Sequence, residues 1–184
     1  MIFVERTAKP QVLYRNEMSW TAAIVAAKKN FDNNSSENNK RALDKAIKKY
    51  GNNEIKQVLI KMFHGKCAFC ESYIENVDYG DIEHFKPKSK FPELAVTWSN
   101  LLLSCKKCNG AGQKGDNWPE PSEGGPLINP CEENPEDFFE FEFDEKTLMS
   151  IVIPINERGN ASEKIYGLNK HTLLIDRKNM FRCW

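Results

Sequence analysis

An α+β fold is what this sequence predicts, and three observations carry the prediction. Apolar residues recur at helical spacing through the first third of the chain, two Cys-x-x-Cys pairs frame its middle, and a Phe/Glu alternation near residue 140 has the period of a strand. Taken in order, the first element is a helix in which Trp20, Ala23, Ile24 and Ala27 fall at i, i+3, i+4 and i+7, with Ser19 as its candidate N-cap. The stretch 33–36, Asn-Asn-Ser-Ser, reads as a connector, and Leu43, Ile47 and Tyr50 repeat the helical pattern after it. Ile55, Val58, Leu59, Met62 and Phe63 form the clearest amphipathic stripe in the chain, and Gly65 follows as its C-cap.

The middle of the chain reads as two short strands and a helix: a strand within Val77 to Phe85, a second at Leu101 to Leu103, and a helix opening at Cys105 or Lys106. Residues 119–126, Pro-Glu-Pro-Ser-Glu-Gly-Gly-Pro, are a break that no regular element crosses easily. Beyond it Phe139, Phe141 and Phe143 alternate with Glu140 and Glu142, residues 144–146 can turn, and Leu148 to Ile153 can return as the partner strand. Helices from about Ala161 to Leu168 and from His171 close the chain. These elements divide into a helical region 1–64, a cysteine-framed module 65–118 and a hairpin-plus-helix region 119–184.

With 184 residues, 40% of them hydrophobic, the chain can bury an ordinary core, and no apolar run approaches the roughly 18 residues of a membrane span. The first residues, Met-Ile-Phe-Val-Glu-Arg, lack the basic and apolar regions of a signal peptide, so a cytoplasmic protein is expected. In a reducing compartment closely spaced cysteines are metal ligands rather than disulfide partners, which leaves Cys131 and Cys183 as free thiols. Net charge is zero but unevenly placed. Residues 36–66 hold eight Lys or Arg against three acids, residues 84–114 six Lys against Glu93 alone, and residues 119–145 ten acids and no base. That asymmetry suits a basic face for phosphate and an acidic segment placed elsewhere.

Cys67-Ala-Phe-Cys70 and Cys105-Lys-Lys-Cys108 supply four thiolates in two local turns, the donor set of a closed tetrahedral zinc site. With every coordination position taken by cysteine, such a zinc is structural. The 34 residues between the pairs exceed the spacing of a compact zinc ribbon, so an element is folded between them. That insertion contains Ile82-Glu-His-Phe-Lys-Pro-Lys-Ser89 and runs into the second pair through Trp98-Ser-Asn-Leu-Leu-Leu-Ser-Cys-Lys-Lys-Cys-Asn109.

The order His84, Asn100, Asn109 inside a four-cysteine frame resembles the HNH endonuclease family, and most specifically the HNH components of Septu-type and retron-associated anti-phage systems. The resemblance is specific from Cys67 to Asn117, looser through 126–130 and 167–169, and absent from the first 50 residues. It implies a ββα-metal core in which His84 is the general base and Asn100 orients it by hydrogen-bonding across the loop after the first strand. Glu83 and Asn109 are the ligands of a catalytic Mg(II) or Mn(II), with Asp81 as the alternative carboxylate. Many family members carry aspartate before the base and histidine at the third position, where this chain has Glu83 and Asn109. In a regular strand Glu83 and His84 face opposite ways, so the strand must end or bend there for both to reach one centre.

Lys86, Lys88, Lys106, Lys107 and Lys114 are candidate phosphate contacts, and Trp98 is read as core. The resemblance further implies an anti-phage effector acting on DNA or RNA with a separately encoded, PtuA-like ATPase, since no Walker sequence is present here. The rival from another class is a zinc ribbon that binds nucleic acid or protein without cutting.

Overall fold

The computed structural model describes residues 1–74, 80–110 and 112–182. The expected start of the first strand at Val77 and the thiol of Cys183 lie outside the described residues. The chain divides into two compact units that interleave in sequence: one comprises Arg6–Cys67 with Tyr73–Lys106, the other Met1–Glu5, Ala68–Ser72 and Lys107–Trp184.

The first of these units opens with α1 (Gln11–Asn33), α2 (Glu37–Ile47) and α3 (Asn53–Met62). Helix α1 begins well before Ser19. Pro10 is its N-cap, and its carbonyl accepts from the amides of Leu13 and Tyr14 at 3.0 and 2.9 Å. Proline's fixed φ and missing N–H suit a helix start, while Ser19 lies mid-helix with Oγ donating to the Asn16 carbonyl. Ser36 caps α2 by accepting from the Asn39 amide, as a connector ending in serine allows. The second helix stops at Ile47, so Tyr50 sits in a 3-10 turn (Lys48–Gly51) rather than on the helical stripe expected of it.

Helix α3 buries Ile55, Leu59 and Met62. Its end differs in one detail from the expectation. His64, not Gly65, takes the first left-handed position (φ 52°) and donates to the Lys61 carbonyl, and Gly65 (φ 69°) follows, donating to the Ile60 carbonyl at 2.9 Å. The two bonds satisfy carbonyls that the helix itself leaves open.

Against α3 lie β1 (Asp81–His84) and β2 (Leu101–Ser104), antiparallel, with Glu83 opposite Leu102 and His84 opposite Leu101. All four β2 residues are buried. Arg6 braces the approach to β2, its Nη1 donating to the carbonyls of Trp98 and Leu101 at 2.8 and 3.0 Å. Trp98 is core, as expected, and its indole N–H donates to the Thr7 carbonyl.

A single-turn α4 (Lys106–Asn109) follows β2, completing the ββα order, and the fold is α+β. In the other unit β3 (Phe139–Asp144) and β4 (Met149–Pro154) form the second antiparallel pair, followed by α5 (Glu157–Tyr166) and α6 (His171–Arg182). Helix α5 starts four residues before Ala161, because Asn156 caps it by accepting from the Gly159 amide. It ends where Gly167 adopts φ 61°. The Tyr166 hydroxyl donates to the Ile128 carbonyl, and its ring stacks on Phe69 at 4.4 Å. Arg158 grips Glu133 with two bonds of 2.7 and 2.8 Å. At the hairpin turn Asp144 is held below the ordinary carboxyl range by hydrogen bonds from the Thr147 hydroxyl and then from the Lys146 and Thr147 amides. No helix among the described residues is long and apolar enough to cross a membrane.

Candidate active site and metal centre

The two knuckles bring their sulfurs together. The Sγ atoms of Cys67, Cys70, Cys105 and Cys108 all lie within 4.8 Å of one another, and no other group of metal-ligating side chains of this kind occurs among the described residues. Zinc with Zn–S near 2.3 Å requires sulfur separations of about 3.8 Å, so a small contraction closes a tetrahedron. The Cys105 amide donates to Cys67 Sγ at 3.4 Å, and Ser104 Oγ lies 3.8 Å from the same sulfur. N–H groups aimed at sulfur favour the thiolate, the form that binds metal.

Between the knuckles, β1 delivers Glu83 and His84 in succession and then ends. Both are buried, at 6% and 2% exposed, whereas Asp81 is half-buried. His84 Nε2 lies 3.0 Å from the Ala95 carbonyl. A carbonyl only accepts, so Nε2 carries the proton and Nδ1 is the basic nitrogen of the neutral ring. The Tyr50 ring meets the imidazole edge-on, with centroids 4.4 Å apart and planes at 83°.

Asn100 is also buried and clamps the loop after β1. Its Oδ1 accepts from the Lys86 amide at 2.7 Å, and its Nδ2 donates to the carbonyls of Lys86 and Leu94 at 3.0 and 3.2 Å. The Phe85 amide adds a bond to the Asn100 carbonyl. One carboxamide thus meets both backbone groups of Lys86 as a neighbouring strand would, fixing the chain two residues beyond His84.

Glu83, His84, Asn100, Lys86, Lys88 and Lys106 belong to one compact unit, Asn109, Lys107 and Lys114 to the other. Lys106 and Lys107 are exposed, and Lys86 and Lys88 half-buried, with their ammonium groups over the rings of Phe91 and Tyr50. Lys114 departs from expectation: it is fully buried, with Nζ donating to the Gly115 carbonyl, so it is no surface contact for phosphate in this conformation. The sequence reading missed Tyr50, Arg6 and the Ala95 carbonyl. Tyr50 had been absorbed into a helical stripe, and neither a lone arginine nor a backbone carbonyl leaves a trace in sequence pattern.

A buried histidine with one nitrogen tied to a carbonyl, a clamped loop behind it and a four-cysteine cluster define a class. Residues 67–115 match the HNH endonuclease family model, so this central segment is similar to that family. The relatives are more particular. Over 160 residues, 70% of this chain, the sequence is 33% identical to the Septu protein PtuB of Bacillus mycoides (strain KBAB4), covering 51% of that protein. Over 87 residues, 47% of this chain, it is 41% identical to the Septu protein PtuB of Bacillus thuringiensis, covering 32% of it. The chain resembles PtuB and spans about half of the length of the first of these curated relatives and about a third of the second.

Proposed function

We propose that this protein is a metal-dependent HNH endonuclease that hydrolyses phosphodiester bonds, of DNA in the first place and of RNA as the alternative, as the effector of a bacterial anti-phage system. The observation that carries the reading is the setting of His84 within the family-matched segment. Its Nε2–H is committed to Ala95, which holds the tautomer whose Nδ1 can take a proton from water. Asn100 keeps the following loop in register and so acts through His84 rather than on substrate.

A phosphodiester also needs a cation to offset charge developing on the leaving oxygen, and a bound Mg(II) or Mn(II) supplies that. Glu83 and Asn109 would hold it: a carboxylate and an amide oxygen are hard donors, and Mg(II) commonly takes only one or two from protein. The four cysteines hold zinc, which folds the module and takes no part in cleavage. Lys86, Lys88, Lys106 and Lys107 contact phosphate without reading bases.

His84→Ala should lower plasmid cleavage about 10²- to 10⁴-fold, the usual share of a positioned base, while zinc content stays at wild-type level. Wild-type turnover by this variant would remove the mechanism. The burial of His84 is the one observation that favours a second reading, a zinc module that binds nucleic acid or protein without cutting. In that case His84→Ala changes the melting temperature, and no divalent ion elicits cleavage by the wild type.

The proposed partner is a separately encoded PtuA-like ATPase, and the relatives' printed name, Septu protein PtuB, supports a Septu setting for it. The acidic run 119–145 adds nothing to phosphate binding and suits docking on a basic face. Co-expression with a PtuA-like ATPase and size exclusion at low salt should give one complex. Separate elution, with full-rate cleavage by this chain alone, would make it a stand-alone nuclease.

A further inference from the structure

The segment that carries no family signature supplies a side chain to the candidate base. We infer that Tyr50 is a positioning residue for His84, so that the helices of 11–62 complete the active site rather than flank it; this rests on the nuclease reading of His84. Tyr50 lies in the 3-10 turn Lys48–Gly51 that joins α2 to α3, and its ring is half-buried.

The Ala95 carbonyl holds Nε2, and a contact on the ring itself bears on the tilt of the imidazole and with it the direction of Nδ1. Tyr50 provides one at 4.4 Å and 83°, the edge-to-face geometry that aromatic rings prefer. The turn holding Tyr50 is itself fixed at both ends. Ile47 closes α2 on its N-terminal side, and Asn52 caps α3 on the other, its side chain accepting from the Glu54 amide at 2.8 Å. A rigid turn between two capped helices is what a positioning contact requires.

The Lys88 ammonium lies 5.5 Å from the centroid of the same Tyr50 ring. One aromatic ring therefore touches both the candidate base and a candidate phosphate contact, and a cation over an aromatic face is attracted to it. The ring, not the hydroxyl, makes both contacts. Phenylalanine should therefore replace Tyr50, and leucine should not.

The test uses the full-length protein with supercoiled plasmid and Mn(II), together with NMR of the His84 ring carbon-bound protons, assigned against His84→Ala. Tyr50→Phe should keep kcat within about 2-fold and leave the His84 signals in place. Tyr50→Leu should lower kcat by ~10–100-fold, the scale of a misaligned catalytic group, with KM changed less than about 2-fold. It should also move the His84 protons out of their ring-current shift. An unchanged His84 spectrum in Tyr50→Leu, or a change in KM with kcat intact, overturns the assignment. If Tyr50→Leu does not fold, nuclear Overhauser contacts between the Tyr50 and His84 rings in the wild type decide the matter, and their absence overturns it. A wild type that leaves plasmid uncut while Tyr50→Leu still shifts His84 sinks the DNA-cleaving reading and leaves Tyr50 as the group that sets the ring.

Discussion

In both strand pairs an asparagine from a neighbouring segment closes its carboxamide onto one residue of the backbone. Asn100 takes the amide and carbonyl of Lys86 beside β1, and Asn169 takes those of Val152 in β4, at 2.8 and 2.7 Å. The surroundings differ. Every residue of β2 is buried and Asn100 is 5% exposed, whereas β3 buries only Phe139 and leaves Phe141 and Phe143 at 53% and 43% exposed. The same local device thus serves strand pairs of different burial, although the residue it clamps is half-buried at Lys86 and 1% exposed at Val152, and the energetic weight of a hydrogen bond depends on whether water can replace the partner.

The largest break in this comparison should come from the cysteine frame next to β2. Cys67→Ser removes one of four thiolates, and because structural zinc binding is coupled to folding, on the order of 10 kcal/mol at neutral pH, the module should lose both metal and cooperative unfolding. The wild type should carry one zinc per chain by elemental analysis. Absence of zinc, with a melt that a chelator does not shift, would remove the metal centre from the account.

Core truncation should separate the strand pairs next. Leu102, fully buried in β2, should cost about 2–5 kcal/mol on replacement by Ala, while Phe143→Ala in β3 should cost less, because Phe143 is already 43% exposed. Urea unfolding of both variants measures the gap. Equal losses would mean that the outer face of β3 is covered in solution.

The asparagines give the finest comparison. Asn100→Ala removes three hydrogen bonds of a side chain only 5% exposed and should cost about 1–3 kcal/mol, with cleavage falling further than stability predicts. Asn169→Ala, at a partly exposed clamp, should cost about 1 kcal/mol or less and leave cleavage unchanged. A reversed order would show that β4, not the loop after β1, is the more tightly held.

Much of this was legible in the residues. The Leu43 and Ile55–Phe63 patterns fall on α2 and α3, β1 lies within the stretch 77–85 and β2 on the Leu101–Leu103 run, and the four sulfurs converge as their spacing requires. The misses share a cause. The start of α1 depends on Pro10 as cap, and periodicity says where a stripe lies rather than where the helix around it begins. Phe139, Phe141 and Phe143 have the alternation of a half-buried strand, but burial also needs a layer to cover the face.

By itself, then, the sequence determined the four-cysteine set and the ββα order, because ligand chemistry and short-range periodicity are written in residue type and spacing, while His84 as candidate base came from the family resemblance. Tertiary structure alone decided which carbonyl sets the His84 tautomer, that Tyr50 from the helical segment meets its ring, that Arg6 braces the carbonyls of Trp98 and Leu101, and that Lys114 is buried. These contacts join residues far apart along the chain, and their partners are a carbonyl, a ring edge or a cavity wall. Any residue type can offer the first and many can offer the others, so only the path of the folded backbone selects among them.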